Sequence, residues 1–353
     1  MTALPTSLPP AAAACPKDMV HGPCGGVRFD GLCELGDRPC PFVDAPVVRY
    51  LPDPGAGAVP TPPLLPSAAA MAALLARRPV VVADFPARAL DRASLERCAD
   101  VLVGHVDAVL AGDSGSARVQ FPPAYRAALV QARGLPAWTG LNDRDRNRVA
   151  LEGEVAALAD VGVAGVHCVT GDHPRTGHRP DAPPVFDLDS TATAALARAA
   201  GHLVSVAESP MAPPADRRAA RLRQKEAAGA DVCFVNHCGG AGPVGRFVRE
   251  ARDLGSTSAF IACVPVVLDH ASAALLRSFT TLVLPEGFLD GILDAADPHA
   301  AGIEAAVDLA AQVLAVDGVS GVDLSGGPGP GAETPYAEAL AEIADRLAIR
   351  TTP

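Results

Sequence analysis

Short apolar runs without helical period alternate along this chain with longer Ala- and Leu-rich stretches. The runs break on polar residues. In AGVHCVTGDHP, Ala164 to Pro174, the residues Val166, Cys168 and Val169 read as a strand buried on both faces that breaks at Gly171-Asp172. PVVVADFP (Pro79 to Pro86) ends around Asp84, VDAVLAGD at Asp113, and LPAWTGLNDRD (Leu135 to Asp145) in Asn142 and Asp143. HLVSVAES ends at Glu208, DVCFVNH in Asn236 and His237, and GVSGVDLS (Gly318 to Ser325) around Asp323. Strand, loop and helix repeated in this order predict an α/β protein, a closed parallel (β/α)8 barrel of the TIM type. Ligands of such a sheet bind at the carboxyl ends of the strands, so these polar residues are candidates as a set. For Asp172 the plainer reading is a helix cap or an ordered turn.

The barrel is expected over residues 67–353, with a leading helix at Ser67 to Arg77 and a first strand at Pro79. Helices are predicted over Asp145 to Asp160, Pro214 to Ala228, Gly242 to Leu254 and His270 to Phe279. Two helical stretches without an intervening strand fill Glu286 to Val316, and Tyr336 to Ile349 closes the chain after the loop GGPGPGAETP. Residues 51–66, rich in Pro and Gly, read as a linker, and the Pro/Ala-rich residues 1–14 as disordered.

The formal net charge of −11 and the 4% aromatic content argue against a nucleic-acid partner. No apolar run approaches the roughly 20 residues of a membrane span, and the first residues lack the basic start and apolar core of a secretory signal. A cytoplasmic location is expected. Self-association is left open. The nine cysteines are then thiols or metal ligands rather than disulfides.

Four of them crowd into one piece, Cys15, Cys24, Cys33 and Cys40, with C-x8-C-x8-C-x6-C spacing and glycines and prolines between. Residues 15–42 have almost no apolar material for a core of their own, so a metal held by four thiolates is expected to organise them within a domain of residues 15–50. Zinc and an iron–sulfur cluster both suit four sulfurs, and the spacing does not choose between them.

NDRDRNRVALEGEVAALADVGVAGVHCVTGDHP (Asn142 to Pro174), PVFDLDS (Pro184 to Ser190) and RLRQKEAAGADVCFVN (Arg221 to Asn236) closely resemble methylenetetrahydrofolate reductases. The resemblance runs on through VPVVLDHASAALLRSF and GIEAAVDLAAQVLAVDGVSGVDL and covers roughly residues 79–325. The cysteine segment looks like the small metal-binding domain that accompanies some of these reductases. The resemblance implies a TIM barrel that carries FAD and passes hydride from a reduced nicotinamide, NAD(P)H, to the methylene group of methylenetetrahydrofolate. It implies a carboxylic acid at the end of the first strand that protonates N10 of the folate, and an aspartate at the Gly-Asp position that meets the pterin. Asp172 matches that position. Asp113, Asn142, Asp143, Asp145, Arg146, Gly171, Asp172 and His173 would face the cofactor, with Asp145 and Arg146 holding loop geometry or a phosphate. Glu208, Asn236, His237 and Asp323 would face the substrate.

The chain departs from the family at several of these points. The family's Glu-x-x-Pro-Pro becomes Ala83-Asp84-Phe85-Pro86-Ala87, which puts Ala83 at the glutamate. Because a one-residue slip turns a strand side chain to the other face, Asp84 is expected to serve as the acid only through an irregular strand end. The Thr-Gln pair becomes Val235-Asn236, the third-strand position that usually offers His or Gln becomes Gly140, and the late His becomes Asp323. Three functions follow. The first is an oxidoreductase of the methylene/methyl-tetrahydrofolate pair. The second is a folate-dependent one-carbon transfer enzyme without net redox. The third is a non-catalytic folate-binding subunit that docks a redox or methyl-transfer partner.

Overall fold

The computed structural model describes residues 5–7, 15–44, 47–51, 62–112 and 117–347. Asp113 lies outside the described residues, as does most of the N-terminal and linker sequence. Eight parallel strands close into a barrel in chain order. They are β1 (Val80–Asp84), β2 (Ala108–Ala111), β3 (Ala137–Asn142), β4 (Gly165–Val169), β5 (Val204–Glu208), β6 (Val232–Val235), β7 (Ala259–Pro265) and β8 (Val319–Ser325). The TIM expectation holds. The apolar runs named seven of these strands, and the eighth is β7, AFIACVP. It runs straight on into the apolar VVL, and periodicity alone cannot separate a buried strand from a buried helix there.

The helices are α1 (Pro66–Arg77), α2 (Arg92–Leu102), α3 (Pro123–Gln131), α4 (Arg148–Val161), α5 (Ser190–Ala199), α6 (Arg218–Ala227), α7 (Ala241–Asp253), α8 (His270–Arg277), α9 (Phe288–Leu293), α10 (Pro298–Leu314) and α11 (Glu333–Arg346). Where they start is set by caps rather than by apolar period. α4 begins three residues later than predicted because Asn147 accepts a hydrogen bond from the Ala150 amide. α6 also starts late, after a 3-10 turn at Ala215–Arg217.

Strand side chains alternate between two apolar layers. Val81, Ala83, Val109, Val166, Cys168, Cys233 and Val264 pack outward with the helices. Val80, Val82, Leu110, Trp138, Phe234 and Ile261 form the barrel's interior plug. The Trp138 indole N–H donates to Ser205 Oγ at 2.9 Å, and its ring meets Phe234 edge-on. Gly165 makes room for it, since a Cβ there would lie 2.5 Å from the indole. Toward the carboxyl ends the interior opens. Asp84, Gly140, Val169, Ala207, Asn236 and Cys263 are partly exposed while the strand residues beside them are buried. This half-exposed set is the mouth.

The cysteine segment sits against the carboxyl face of the barrel rather than standing apart from it. The Val20 and His21 amides donate to Asp189, Arg218 donates to the Cys24 carbonyl, and the Tyr50 amide donates to Gln224. Its small core is Met19 and Phe42, packed with Cys15, Cys24 and Cys40. Apolar material is therefore not absent from the segment, only scarce, and the barrel supplies the remaining surface.

Candidate active site

Asp84 closes β1, whose register to β2 runs without a break through Asp84 opposite Leu110. Ala83 packs outward in the helix layer, so Asp84, sharing the parity of Val80 and Val82, faces the interior. The expected irregular strand end is therefore not needed. The acid stands one residue beyond the family's glutamate on a regular strand, and the regular alternation already points it inward. Its Oδ2 accepts from Ser325 Oγ at 2.8 Å and from the Gly326 amide at 3.0 Å. Burial pushes the carboxyl up to about 6 against the pull of those two hydrogen bonds.

Asp323 lies opposite Val82 on the neighbouring strand, two residues below Asp84 on the same face. Its Oδ1 has no hydrogen-bond partner, and the residue is 1% exposed. Burial, and then the Asp84 charge, raise its carboxyl well above the usual range. Two carboxyls so placed titrate as a unit. Cys263 of β7 adds a thiol 3.6 Å from Asp323 Oδ2 and 3.9 Å from Asn236 Oδ1, and its pKa is raised well above the usual value, mainly by burial. Asn236 donates to Ser209 Oγ at 2.9 Å. His237, immediately after it, is buried, and burial pushes it down to about 4 against a pull from the Cys263 backbone.

Residues that sequence reasoning missed complete the mouth. Cys263 and Ser325 become visible only once β7 and β8 are in register. His167, between the outward Val166 and Cys168, bonds Ser205 Oγ at 2.9 Å and stays neutral, pushed down to about 3 by burial and then by Lys225. Gly140, Val169 and Ala207 give the β3–β5 side a low wall, and a Cβ on Gly140 would collide with the Gly112 backbone at 2.9 Å.

Other predicted residues stand elsewhere. Asp143 is turned to the helix layer, accepting from Thr193 Oγ1 at 2.5 Å, with its carboxyl raised well above the usual range by burial. Glu208 is held by Lys225 Nζ at 2.6 Å and by Arg218 at 3.9 Å, so it neutralises buried cations rather than offering itself to a ligand. Asp145 pairs with Arg144 at 3.1 Å and Arg146 at 2.6 Å, and Arg146 reaches the Asn142 carbonyl at 3.3 Å. Asn142 itself is buried on the interior parity of β3. Asp172 lies on the rim with 64% of its side chain exposed and Arg118 at 3.6 Å. It caps no helix, since the turn that follows, Pro174–Thr176, is capped by His173 and α5 by Asp189. His173 is buried and its Nδ1 accepts from the Arg175 amide, closing a local turn.

Cys15, Cys24, Cys33 and Cys40 line one small cavity together with Met19, Val27 and Phe42. The Gly26 amide donates to Cys24 Sγ at 3.3 Å. Burial raises the thiols of Cys15 and, to about 11, of Cys40. Lys17 is fully buried beside them and Arg218 lies within electrostatic reach of Cys24 and Cys40. Cations so placed favour thiolates over thiols. The donor chemistry therefore fits a four-thiolate metal centre. Among the described residues, no three of His, Cys, Asp or Glu are gathered at metal-binding separations, so the four sulfurs share a cavity without converging on one point.

Fold and site together define the class: a parallel (β/α)8 barrel with paired acids at its mouth and a cysteine segment against its carboxyl face. Comparison with known proteins refines one part of it. Residues 6–48 match a sequence family described as "Methylene-tetrahydrofolate reductase C terminal". No curated protein matches the sequence. Among solved structures, a Clostridium thermocellum protein that binds two copies of 5-methyl-5,6,7,8-tetrahydrofolic acid aligns with a TM-score of 0.57 at 9% identity, over 77% of this chain and 98% of that one. That likeness is one of fold. An Aquifex aeolicus protein aligns at 0.47 and 12% identity over 80% and 96% of the two chains. A 2,3-dimethylmalate lyase of the PEP mutase/isocitrate lyase superfamily aligns at 0.42 and 14% over 82% and 98%.

Proposed function

We propose that the barrel binds a reduced folate at its mouth and acts on the methylene/methyl-tetrahydrofolate pair, with Asp84 as general acid. The observation that carries this reading is the inward-facing, half-buried Asp84 beside Asp323, with the Asp84 carboxyl pushed up to about 6 by burial. A general acid works best with a pKa close to the operating pH. The match of residues 6–48 to the reductase C-terminal family supports the same reading independently of the barrel.

The pterin would lie against the low wall of Gly140, Val169 and Ala207, with Asn236 meeting its amide edge and Asp323 beneath Asp84. Asp84, protonated, donates to N10 of methylenetetrahydrofolate. The N10–methylene bond breaks, and its electron pair stays on N10. The remaining N5-methylene iminium is a cation, and the Asp84 carboxylate left behind stabilises it across a site that excludes water from the interior plug. Hydride addition to the methylene carbon then gives the N5-methyl product. Arg146 would hold the phosphate of a flavin, which when bound supplies the hydride relay from a reduced nicotinamide. The four cysteines would hold zinc or an iron–sulfur cluster whose negative charge Lys17 and Arg218 offset.

Titration calorimetry with 5-methyltetrahydrofolate, followed by nicotinamide-linked reduction of methylenetetrahydrofolate, tests the reading. Wild type should bind and turn over, and Asp84→Asn should bind but lose roughly 10²–10⁴-fold in rate, the range general acids contribute. Failure to bind the folate at millimolar concentration would end it. Folate binding without flavin absorbance or nicotinamide oxidation, in protein purified anaerobically, would move the assignment to one-carbon transfer without net redox.

A further inference from the structure

Two residues of the cysteine segment grip the loop that carries Asp172. Lys17 Nζ donates to the Gly171 carbonyl at 2.8 Å, and Glu34 Oε1 accepts from the His173 amide at 2.9 Å. These are the backbone groups on either side of Asp172. The two gripping side chains pair with each other at 2.7 Å and are 4% and 5% exposed. A loop carbonyl and a loop amide, one residue apart, are thus held by opposite ends of one buried ion pair.

On its C-terminal side the loop is also held by His173, which is 3% exposed, caps the turn at Pro174–Thr176 and accepts at its carbonyl from Thr176 Oγ1. Its Gly171–Asp172 half has fewer ties: Gly171 sits at φ +83°, and Asp172 meets Arg118 at 3.6 Å and is mostly exposed. Lys17 follows Cys15 by two residues, and Glu34 follows Cys33 directly. Fixing Cys15 and Cys33 therefore fixes both backbones that present the strut.

We propose that the Lys17–Glu34 pair is a positioning strut that transmits the state of the four-cysteine centre to the Gly171–His173 loop. Metal bound at the cysteines holds Asp172 at the rim in its ligand-ready place, and metal loss releases it. The strut rests on the folate reading only for the ligand that Asp172 would meet. The mechanical coupling stands on the contacts alone, and the experiment separates the two.

Amide hydrogen exchange over residues 165–177 is followed in full-length protein as purified, after chelation, and in metal-loaded Lys17→Met and Glu34→Ala variants. Loss of the Glu34 acceptor should speed exchange at His173 about 10-fold or more, the effect of removing one buried hydrogen bond. Chelated wild type should show the same rise, and chelating Glu34→Ala should add little to it. In parallel, 5-methyltetrahydrofolate affinity should fall about 10-fold in Lys17→Met while exchange across β1–β8 stays as in wild type, and Lys17→Arg should restore the affinity. Exchange at His173 that ignores both chelation and Glu34→Ala overturns the strut, as does protein that holds no metal. Fast exchange without any folate binding keeps the strut and refutes the folate reading instead.

Discussion

Replacing Asp84 with Asn should make the protein more stable and less active, and the balance should depend on pH. The carboxyl's pKa rises from an ordinary 3.8 to about 6 on folding, chiefly through burial. A raised acid pKa means the folded state binds more protons than the unfolded chain between those values. Stability therefore falls as pH rises through about 4 to 6 and stays reduced above it. At about 1.4 kcal/mol per pKa unit, the ionised carboxylate costs up to about 3 kcal/mol at pH 8. Asn imitates the neutral acid, and its carbonyl still accepts from Ser325 Oγ or the Gly326 amide, which now meet Asp84 at 2.8 and 3.0 Å. The variant should exceed wild type by roughly 1–3 kcal/mol at pH 8, the lower end allowing for the weaker hydrogen bonds of a neutral acceptor. The difference should shrink toward zero near pH 4. Urea unfolding of both proteins at pH 4.5, 6 and 8 reads it directly. A variant that is less stable at pH 8, or a difference that does not change with pH, would refute the burial argument and with it the case for a poised acid.

Three further outcomes are expected. Glu208→Gln should lower stability by about 3 kcal/mol, because Lys225 at 2.6 Å and Arg218 at 3.9 Å lose their buried counter-charge. In a barrel of this size that is roughly 6–12 °C in Tm by calorimetry, and an unchanged Tm would contradict the assignment of Glu208 to structure. Cys24→Ser should remove most of the bound metal by elemental analysis and raise amide exchange across residues 15–44 while strands β1–β8 stay protected. Retention of a full metal equivalent would exclude Cys24 from the centre. Asp172→Asn should leave Tm within about 1 °C, since the side chain is 64% exposed, and should weaken reduced-folate binding by about 1–3 kcal/mol if the carboxylate meets the pterin. Calorimetric binding curves that superimpose on wild type would remove Asp172 from the site.

Most of the barrel was legible in the chain, because buried parallel strands need continuous apolar runs and leave polar residues where they end. AGVHCVTGD, HLVSVAES and DVCFVNH announce β4, β5 and β6 within a residue or two. β7 was not legible, since AFIACVPVVL carries neither a period nor a punctuating polar residue until Asp269. Four cysteines in a Gly- and Pro-rich stretch also suggest that they meet, and they line one cavity, although no three of them stand at metal-binding separations among the described residues.

Which polar residue faces the mouth was decided only by tertiary structure. A strand end read from sequence treats neighbouring polar residues alike, yet Asn142 faces the interior while Asp143, one residue on, bonds Thr193 among the helices. Parity along the strand fixes that choice, and parity depends on where β3 begins. Likewise Asp84 gains its inward aspect from the register of β1 with β2 and β8. Its neighbour Asp323 is distant by 239 residues in the chain and arrives only through barrel closure. The docking of the cysteine segment has no local signal at all. Lys17 and Glu34 look like ordinary solvated charges in the sequence, and it is the Gly171 carbonyl and the His173 amide, backbone groups that every sequence possesses, that turn them into a buried pair.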